Sequence, residues 1–489
     1  MHKPLLFLAL PLGLLPNVIT GSDRRTSLGI VRGNRISLLN RVVEEYRGIP
    51  YACPPVGDLR FLPPVPAPRW EGTLDARNGR TACPQAPNRF LMDAIVLTED
   101  CLYVNVWTPV PRWADATAPV LVWIHGGGFT TGSASYDNYT AAALAARTGF
   151  VVASMNYRLG ILGFLNADVP EAPGNLGLMD QRLALWWLQR NARAFGGDPA
   201  MFTVMGHSAG GMSVHSHMLS PGSRGLFRRA VMMSGTMSAV DFFESVEQNM
   251  VKGRVVAELV GCSDADQTLD THPAQVLACL RSKSAGELVR AAAKAVAPRS
   301  FHFLPTFHSD FLPRIPIAGV ARGFVTNIDI LTGVTADEGS TPFAMLLRPQ
   351  FQSERLTEAS DMALRSALQY VVHSWTQRAE PEMLNRYASQ AADKESLRER
   401  HVAYLSHKMF VCPMHFTAEH HAARGNAVYT YVFAHRSQMK PPSWRGAGHA
   451  MELPFFFGRP MVDRDDFAEE DVRVSEGVVK MLSTFAETG

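Results

Sequence analysis

Phe202-Thr203-Val204-Met205-Gly206-His207-Ser208-Ala209-Gly210-Gly211 joins a short apolar run to a helix-like stretch that reaches Leu219. Its centre reads Gly-x-Ser-x-Gly. Composition alone supplies about 0.2 such matches in a chain with 38 glycines, so context decides. A strand that turns sharply into a helix holds a serine on a strained elbow, hydroxyl above the sheet. Small residues at 206 and 210 let the two backbones close there. The competing reading is an ordinary Gly-rich turn.

Outward from this stretch, further short Val- and Ile-rich runs bounded by Gly or polar residues predict buried strands. They are Val120 to Ile124, Phe150 to Ser154, Ala230 to Ser234, Ile328 to Gly333 and Val428 to Phe433. Met179 to Phe195 has helical spacing and stops at Gly196-Gly197-Asp198-Pro199. Strands alternating with helices predict an α/β fold with a large, mainly parallel central sheet flanked by helices. Residues 242–296 and 356–410 read as helical insertions around that sheet. Residues 50–70, rich in proline, read as extended surface chain.

His125-Gly126-Gly127-Gly128-Phe129 follows the strand at 120–124 directly. Consecutive glycines leave backbone N–H groups free to face a developing oxyanion. A phosphate loop is disfavoured, because no Gly-Lys-Ser/Thr follows. Elbow and oxyanion loop together point to acyl transfer. Ser208 as nucleophile needs a base, and the base an orienting carboxylate, in the chain order Ser, acid, His. The strand at 328–333 leads to Asp337-Glu338, and spacing does not choose between them. Gly446-Ala447-Gly448-His449 offers a base in a Gly-rich loop, with His435 as its competitor.

From about Ser27 onward the chain resembles the type-B carboxylesterases, the cholinesterase-like α/β hydrolases. The resemblance rests on Tyr46-Arg47-Gly48-Ile49-Pro50-Tyr51-Ala52, Glu99-Asp100-Cys101-Leu102-Tyr103-Val104-Asn105-Val106 and the loop at 125–129. Asn156-Tyr157-Arg158-Leu159-Gly160, Gly174-Asn175-Leu176-Gly177 and Phe195-Gly196-Gly197-Asp198-Pro199 continue it, in order. It implies Ser208 as nucleophile, Glu338 as acid and His449 as base. Oxyanion donors would be the N–H groups of Gly127, Gly128 and Ala209, and an Arg47–Glu99 ion pair would be structural. No cofactor or metal is implied, and the expected partner is a small-molecule ester.

Departures from the family are informative. Cholinesterases carry a choline-binding tryptophan in the loop closed by their first disulfide. Here Arg89-Phe90-Leu91-Met92 has none, which weakens cation–π capture of a quaternary ammonium. Phe129 and Phe301 are assigned to the substrate pocket, with Arg299 where a second aromatic narrows the acyl pocket in relatives. His207 stands where an acid is common, a pattern of the secreted arthropod-type esterases that the sequence resembles most. A juvenile-hormone or lipid esterase is an alternative within the class. A catalytically silent adhesion domain is the alternative outside it, disfavoured because all three triad candidates are present.

Met1-His2-Lys3, the apolar stretch Leu5 to Ile19 and the small residues Thr20-Gly21-Ser22 read as a secretory signal, residues 1–21, cleaved near 20/21. The run is under about 20 residues and carries Pro11 and Pro16, so it is not expected to span a membrane. Residues 22–489 then form a single domain, expected to lack the C-terminal helical segment found in relatives. Asn138-Tyr139-Thr140 is a sequon that fits a secreted glycoprotein. With six cysteines in that compartment, closeness in sequence favours Cys83–Cys101 and Cys262–Cys279, as does the resemblance. Each loop would contribute roughly 3 kcal/mol by restricting the unfolded chain. Cys53 and Cys412 have no evident partner.

The length of 489 residues suits one large enzyme or about three domains. A net charge of +2 with 19% charged residues gives no electrostatic reason for nucleic-acid binding. Sixteen histidines invite a metal reading, but His215-Ser216-His217 and His415 with Glu419-His420-His421 lack metalloprotease spacing. Trp186-Trp187 falls in a helix expected to pack on the sheet.

Overall fold

The computed structural model describes residues 18–79, 81–86, 95–110, 117–295, 303–346, 393–437 and 443–489, with the single positions Ser366, Glu382 and Tyr387. Eleven strands build the main sheet: β1 (Val18–Arg25), β2 (Ile30–Leu38), β3 (Arg41–Pro50), β4 (Thr73–Asp75), β5 (Tyr103–Pro109), β6 (Ala118–Ile124), β7 (Val151–Met155), β8 (Gly197–His207), β9 (Arg229–Met233), β10 (Asp329–Thr335) and β11 (Val428–Phe433). Their order is β1-β2-β3-β5-β7-β6-β8-β9-β10-β11, with β4 beside β2. From β7 to β11 every neighbour is parallel. β1, β2, β3 and β5 form an antiparallel wing joined to β7. All six strands predicted from apolar runs are present. The wing was not predicted, because its strands carry Arg and Glu on a half-exposed surface and their alternation is broken.

The central parallel strands are nearly continuous apolar runs because helices cover both of their faces, whereas β11, at the sheet's edge, is largely exposed. β9 is buried throughout, as is β7. On one face lie α1 (Ala142–Thr148) and α9 (Glu469–Thr488), whose Val472, Val479, Leu482 and Phe485 join Trp107 and Trp123. On the other lie α2 (Leu176–Asn191) and α3 (Ala209–Leu219), packed with Val122, Val204 and Phe202. The insertion at 242–296 supplies α4 (Val246–Leu259), α5 (Pro273–Ser282) and α6 (Ala285–Lys294). Of the insertion at 356–410, α7 (Lys394–Ser406) and the start of the turn that follows are described. Among the described residues, no helix is long and apolar enough to cross a membrane.

Two disulfides, Cys83–Cys101 and Cys262–Cys279, are formed as expected, across 18 and 17 residues of chain. Cys53 and Cys412 are free thiols. The expected Arg47–Glu99 ion pair is not. Arg47 and Glu45 share a face of β3, two residues apart, and pair at 2.6 Å. Glu99 instead holds Arg60, whose Nε and Nη2 donate to it at 2.7 and 2.6 Å. Arg60 Nη1 also donates to the carbonyls of Leu280, Arg281 and Lys283, tying the first disulfide loop to α5. Residues 50–70 are therefore not simply surface chain: Arg60 and Phe61 turn inward and are buried.

One buried ion pair fixes the segment behind the 125–129 loop. Arg158 donates from its backbone N, Nε and Nη2 to Asp180 on α2, and from Nη1 to Leu62 O. Both side chains are almost fully buried. Removing one partner strands the other charge in low dielectric, at a cost of about 3–5 kcal/mol. Asp180→Ala should therefore lower the urea midpoint sharply, and a midpoint unchanged from the parent would contradict this account.

Candidate active site

The 125–129 loop, the elbow and Glu338 follow the carboxyl ends of the parallel strands β6, β8 and β10, where α/β folds place ligands. Register makes this possible. Gly206 lies opposite Ile124 on one side and Met232 on the other, while Met233 pairs with Gly333. β8 runs straight into α3, so Ser208 takes φ 57° and ψ −124°, a left-handed conformation for a residue with a side chain. That strain is of order 1–3 kcal/mol and persists because the surroundings impose it. Ser208 N donates to Met233 O at 2.8 Å, and Met212 N to Ser208 O at 2.9 Å. A Cβ at position 206 would stand 2.4 Å from the Gly210 backbone, and one at 210 would stand 2.1 Å from Ile124 O. Only glycines allow that approach.

Beside the elbow, Gly127 O accepts from Thr130 N and Thr131 N, closing a turn with φ 117° at Gly127 and 61° at Gly128. Among the described residues, the N–H groups of Gly127, Gly128 and Ala209 have no protein acceptor. Phe129 carries the loop into the core, its ring edge-on to Phe164 at 5.2 Å and its carbonyl accepting Gly160 N. Its side chain has no exposed surface and anchors the loop in the core. Phe301, Arg299 and residues 89–92 lie outside the described residues.

Glu338 follows β10 and is fully buried. Its Oε1 accepts Thr335 N at 2.7 Å, and its Oε2 lies 2.6 Å from His449 Nδ1. The competing acid, Asp337, is spent on the histidine loop, its Oδ2 accepting Ala447 N at 2.9 Å. The competing base, His435, pairs through Nε2 with Asp471 of α9 at 2.6 Å. Geometry thus separates pairs that spacing left open. Among the described residues no hydrogen bond joins Ser208 Oγ to His449; such bonds often tighten only around substrate.

The His449 ring packs against His207, 4.4 Å away, and against Phe410, 4.7 Å away. Phe410 comes from a π-helical turn, His407–Val411, between α7 and α8 (Cys412–Ala422). The extra residue of that turn shifts the helical phase, which hid Phe410 from a period of 3.6. Behind His207 lies Glu452, also fully buried and absent from the sequence reading. Ser234 Oγ donates to Glu452 Oε1 at 3.2 Å, and His207 Nε2 lies 3.5 Å from the same oxygen.

The sequence matches the Carboxylesterase family over residues 21–489. It is 36% identical to the acetylcholinesterase of Bungarus fasciatus over 487 residues, which cover 95% of this chain and 78% of that one. The chain belongs to the carboxylesterase family. It is an α/β hydrolase and a carboxylic ester hydrolase, acting on small-molecule esters.

This esterase buries several imidazoles, and burial favours their neutral form. It pushes His125 down to about 4, His217 to about 3 and His421 to about 4, and it holds His207 and His215 well below 6.5. In the unfolded chain each titrates near 6.5. Their contribution is whole above that value and is lost as pH falls toward the folded values, because the unfolded state then binds more protons. Glu452, raised to about 8 by burial and then by the charge of Glu338, has the opposite sign and loses its contribution as pH rises. Burial also raises Asp241 and Glu244, with the sign of Glu452. Five imidazoles oppose these three carboxyls, so the urea midpoint should fall from pH 6.5 to 4.5; a midpoint constant over that range would refute it.

Proposed function

We propose that this carboxylesterase works through Ser208 as nucleophile, His449 as general base and Glu338 as the carboxylate that orients it. The observation that carries the reading is the 2.6 Å Glu338–His449 contact beside a serine on a strained elbow. His449 Nε2 takes the proton as Ser208 Oγ attacks the ester carbonyl. The N–H groups of Gly127, Gly128 and Ala209 face the oxyanion, each worth about 3 kcal/mol of barrier. The imidazolium then protonates the departing alkoxide. Water, deprotonated by His449, attacks the acyl-enzyme and releases the acid. Glu338 balances the positive charge that His449 gains in both halves.

The relative above is named for acetylcholine. No tryptophan stands between Cys83 and Cys101 in this chain, which argues for uncharged esters over choline esters. A match to a snake enzyme does not single out the arthropod-type branch. Secretion is supported by the leader-like residues 1–21 and by the two disulfides. Asn138 is exposed on a short turn, which suits glycosylation.

A fluorophosphonate should label Ser208 stoichiometrically, located by peptide mapping. Ser208→Ala should lower kcat at least about 10⁴-fold with an unchanged melting midpoint; turnover near the parent's would sink the nucleophile. Protonated His449 cannot accept a proton, so kcat/KM should fall on the acidic side in a pH range where the fold is verified intact. A flat profile from pH 5 to 8 would remove His449 from the role of base.

A further inference from the structure

Behind the triad, His207 Nε2 and Glu452 Oε2 are fully buried polar atoms without a hydrogen-bond partner, on side chains 3.5 Å apart. An imidazole Nε2 without its hydrogen and an ionised carboxylate are both acceptors, so the two facing one another repel unless a proton lies between them, carried by one or the other. We propose that His207 and Glu452 form a second imidazole–carboxyl pair that shares one proton and acts as a positioning device for the His449 ring. This rests on the reading of His449 as the base.

Three features of the geometry converge. The His207 ring packs at 4.4 Å on His449, which Phe410 also touches at 4.7 Å, so a shift of His207 is a shift of the base. Ser234 is held at φ 50°, a left-handed value for serine, with its hydroxyl on Glu452 Oε1. Backbone strain at a buried serine is sustained where its side chain has a task. Third, the groups facing Glu452 offer no cation. They are His207 from the elbow, Glu338 from the loop after β10, Tyr431 from β11 and Tyr139 beside α1. Burial and the Glu338 charge keep Glu452 protonated at neutral pH, and burial keeps His207 neutral. Glu452 therefore acts as a neutral donor, and His207 presents an uncharged face to a ring that must become positive. A cation at 207 would oppose that charge.

The test uses the full chain, p-nitrophenyl acetate and the variants Glu452→Ala, Glu452→Gln and His207→Phe. Glutamine keeps a neutral N–H donor where alanine keeps none. Expected are a 10- to 100-fold loss of kcat in Glu452→Ala and in His207→Phe, KM changing less than threefold, and recovery in Glu452→Gln to within threefold of the parent. The parent's kcat/KM should also show an inflection near pH 8 that Glu452→Gln lacks. Loss in Glu452→Gln equal to that in Glu452→Ala would mean that Glu452 works as an anion and would overturn the proposal. So would the same inflection in both parent and Glu452→Gln. If Glu452→Ala does not fold, the parent and Glu452→Gln decide alone, by their kcat and by the presence or loss of the inflection. Fluorophosphonate labelling separates the premises: a parent unlabelled at Ser208 fails the triad reading itself, and the pair falls with it.

Discussion

The close approach of two glycines at the end of β8 is the constraint on which the site depends. Gly206 and Gly210 let α3 start directly above the strand, and no side chain fits between them and Ile124. Given that approach, Ser208 has nowhere to go but the left-handed region. Its hydroxyl is then carried clear of the sheet, and Ala209 becomes the first residue of a helix whose leading N–H groups have no partner within it. The raised Ser208 hydroxyl and the free Ala209 N–H thus arise from one backbone event. The Gly127 and Gly128 N–H groups join them because β6 pairs in register with β8, so the loop after Ile124 begins where the elbow turns. The strain is sustained by a core on both faces of the sheet.

Much of this was legible before any coordinates, and the reasons are specific. Parallel strands buried on both faces leave continuous apolar runs, so Val120 to Ile124 and Ala230 to Ser234 announce themselves. The antiparallel wing escapes that logic, because Arg32, Arg35, Glu44 and Glu45 serve ion pairs and not a simple alternation. Motif order pointed to Ser208 and the 125–129 loop, which the register of β6 and β8 brings side by side. It left two acids and two bases open, since Asp337 and Glu338 are adjacent and a strand end tolerates either. What separates them is the direction each side chain takes, one toward His449 and one toward the Ala447 N–H.

The errors have the same origin. Arg47 was assigned to Glu99 from family resemblance, but Glu99 is reached by Arg60 from a Pro-rich stretch that looks like surface. A side chain that also satisfies three carbonyls of α5 and its end depends on tertiary geometry, which a local reading does not contain. Phe129, assigned to the substrate pocket from its place in the oxyanion loop, packs its ring on Phe164 in the core. Phe410 and Glu452 carry no motif at all. One is placed by a π-helical turn, and the other lies three residues past His449 in a loop without periodicity.

Two buried glutamates share the field around His449, and their differing surroundings assign their roles. Hydrogen bonds to a carboxylate favour its charged form, while burial and a neighbouring negative charge favour the neutral form. Glu338 receives a backbone N–H from Thr335 and the imidazole Nδ1 at 2.6 Å. Glu452 receives a single serine hydroxyl at 3.2 Å and the repulsion of Glu338. Burial and that repulsion raise Glu452 to about 8, so under the proposed pairing its proton stays on the side of His207, away from the carboxylate that meets His449 Nδ1.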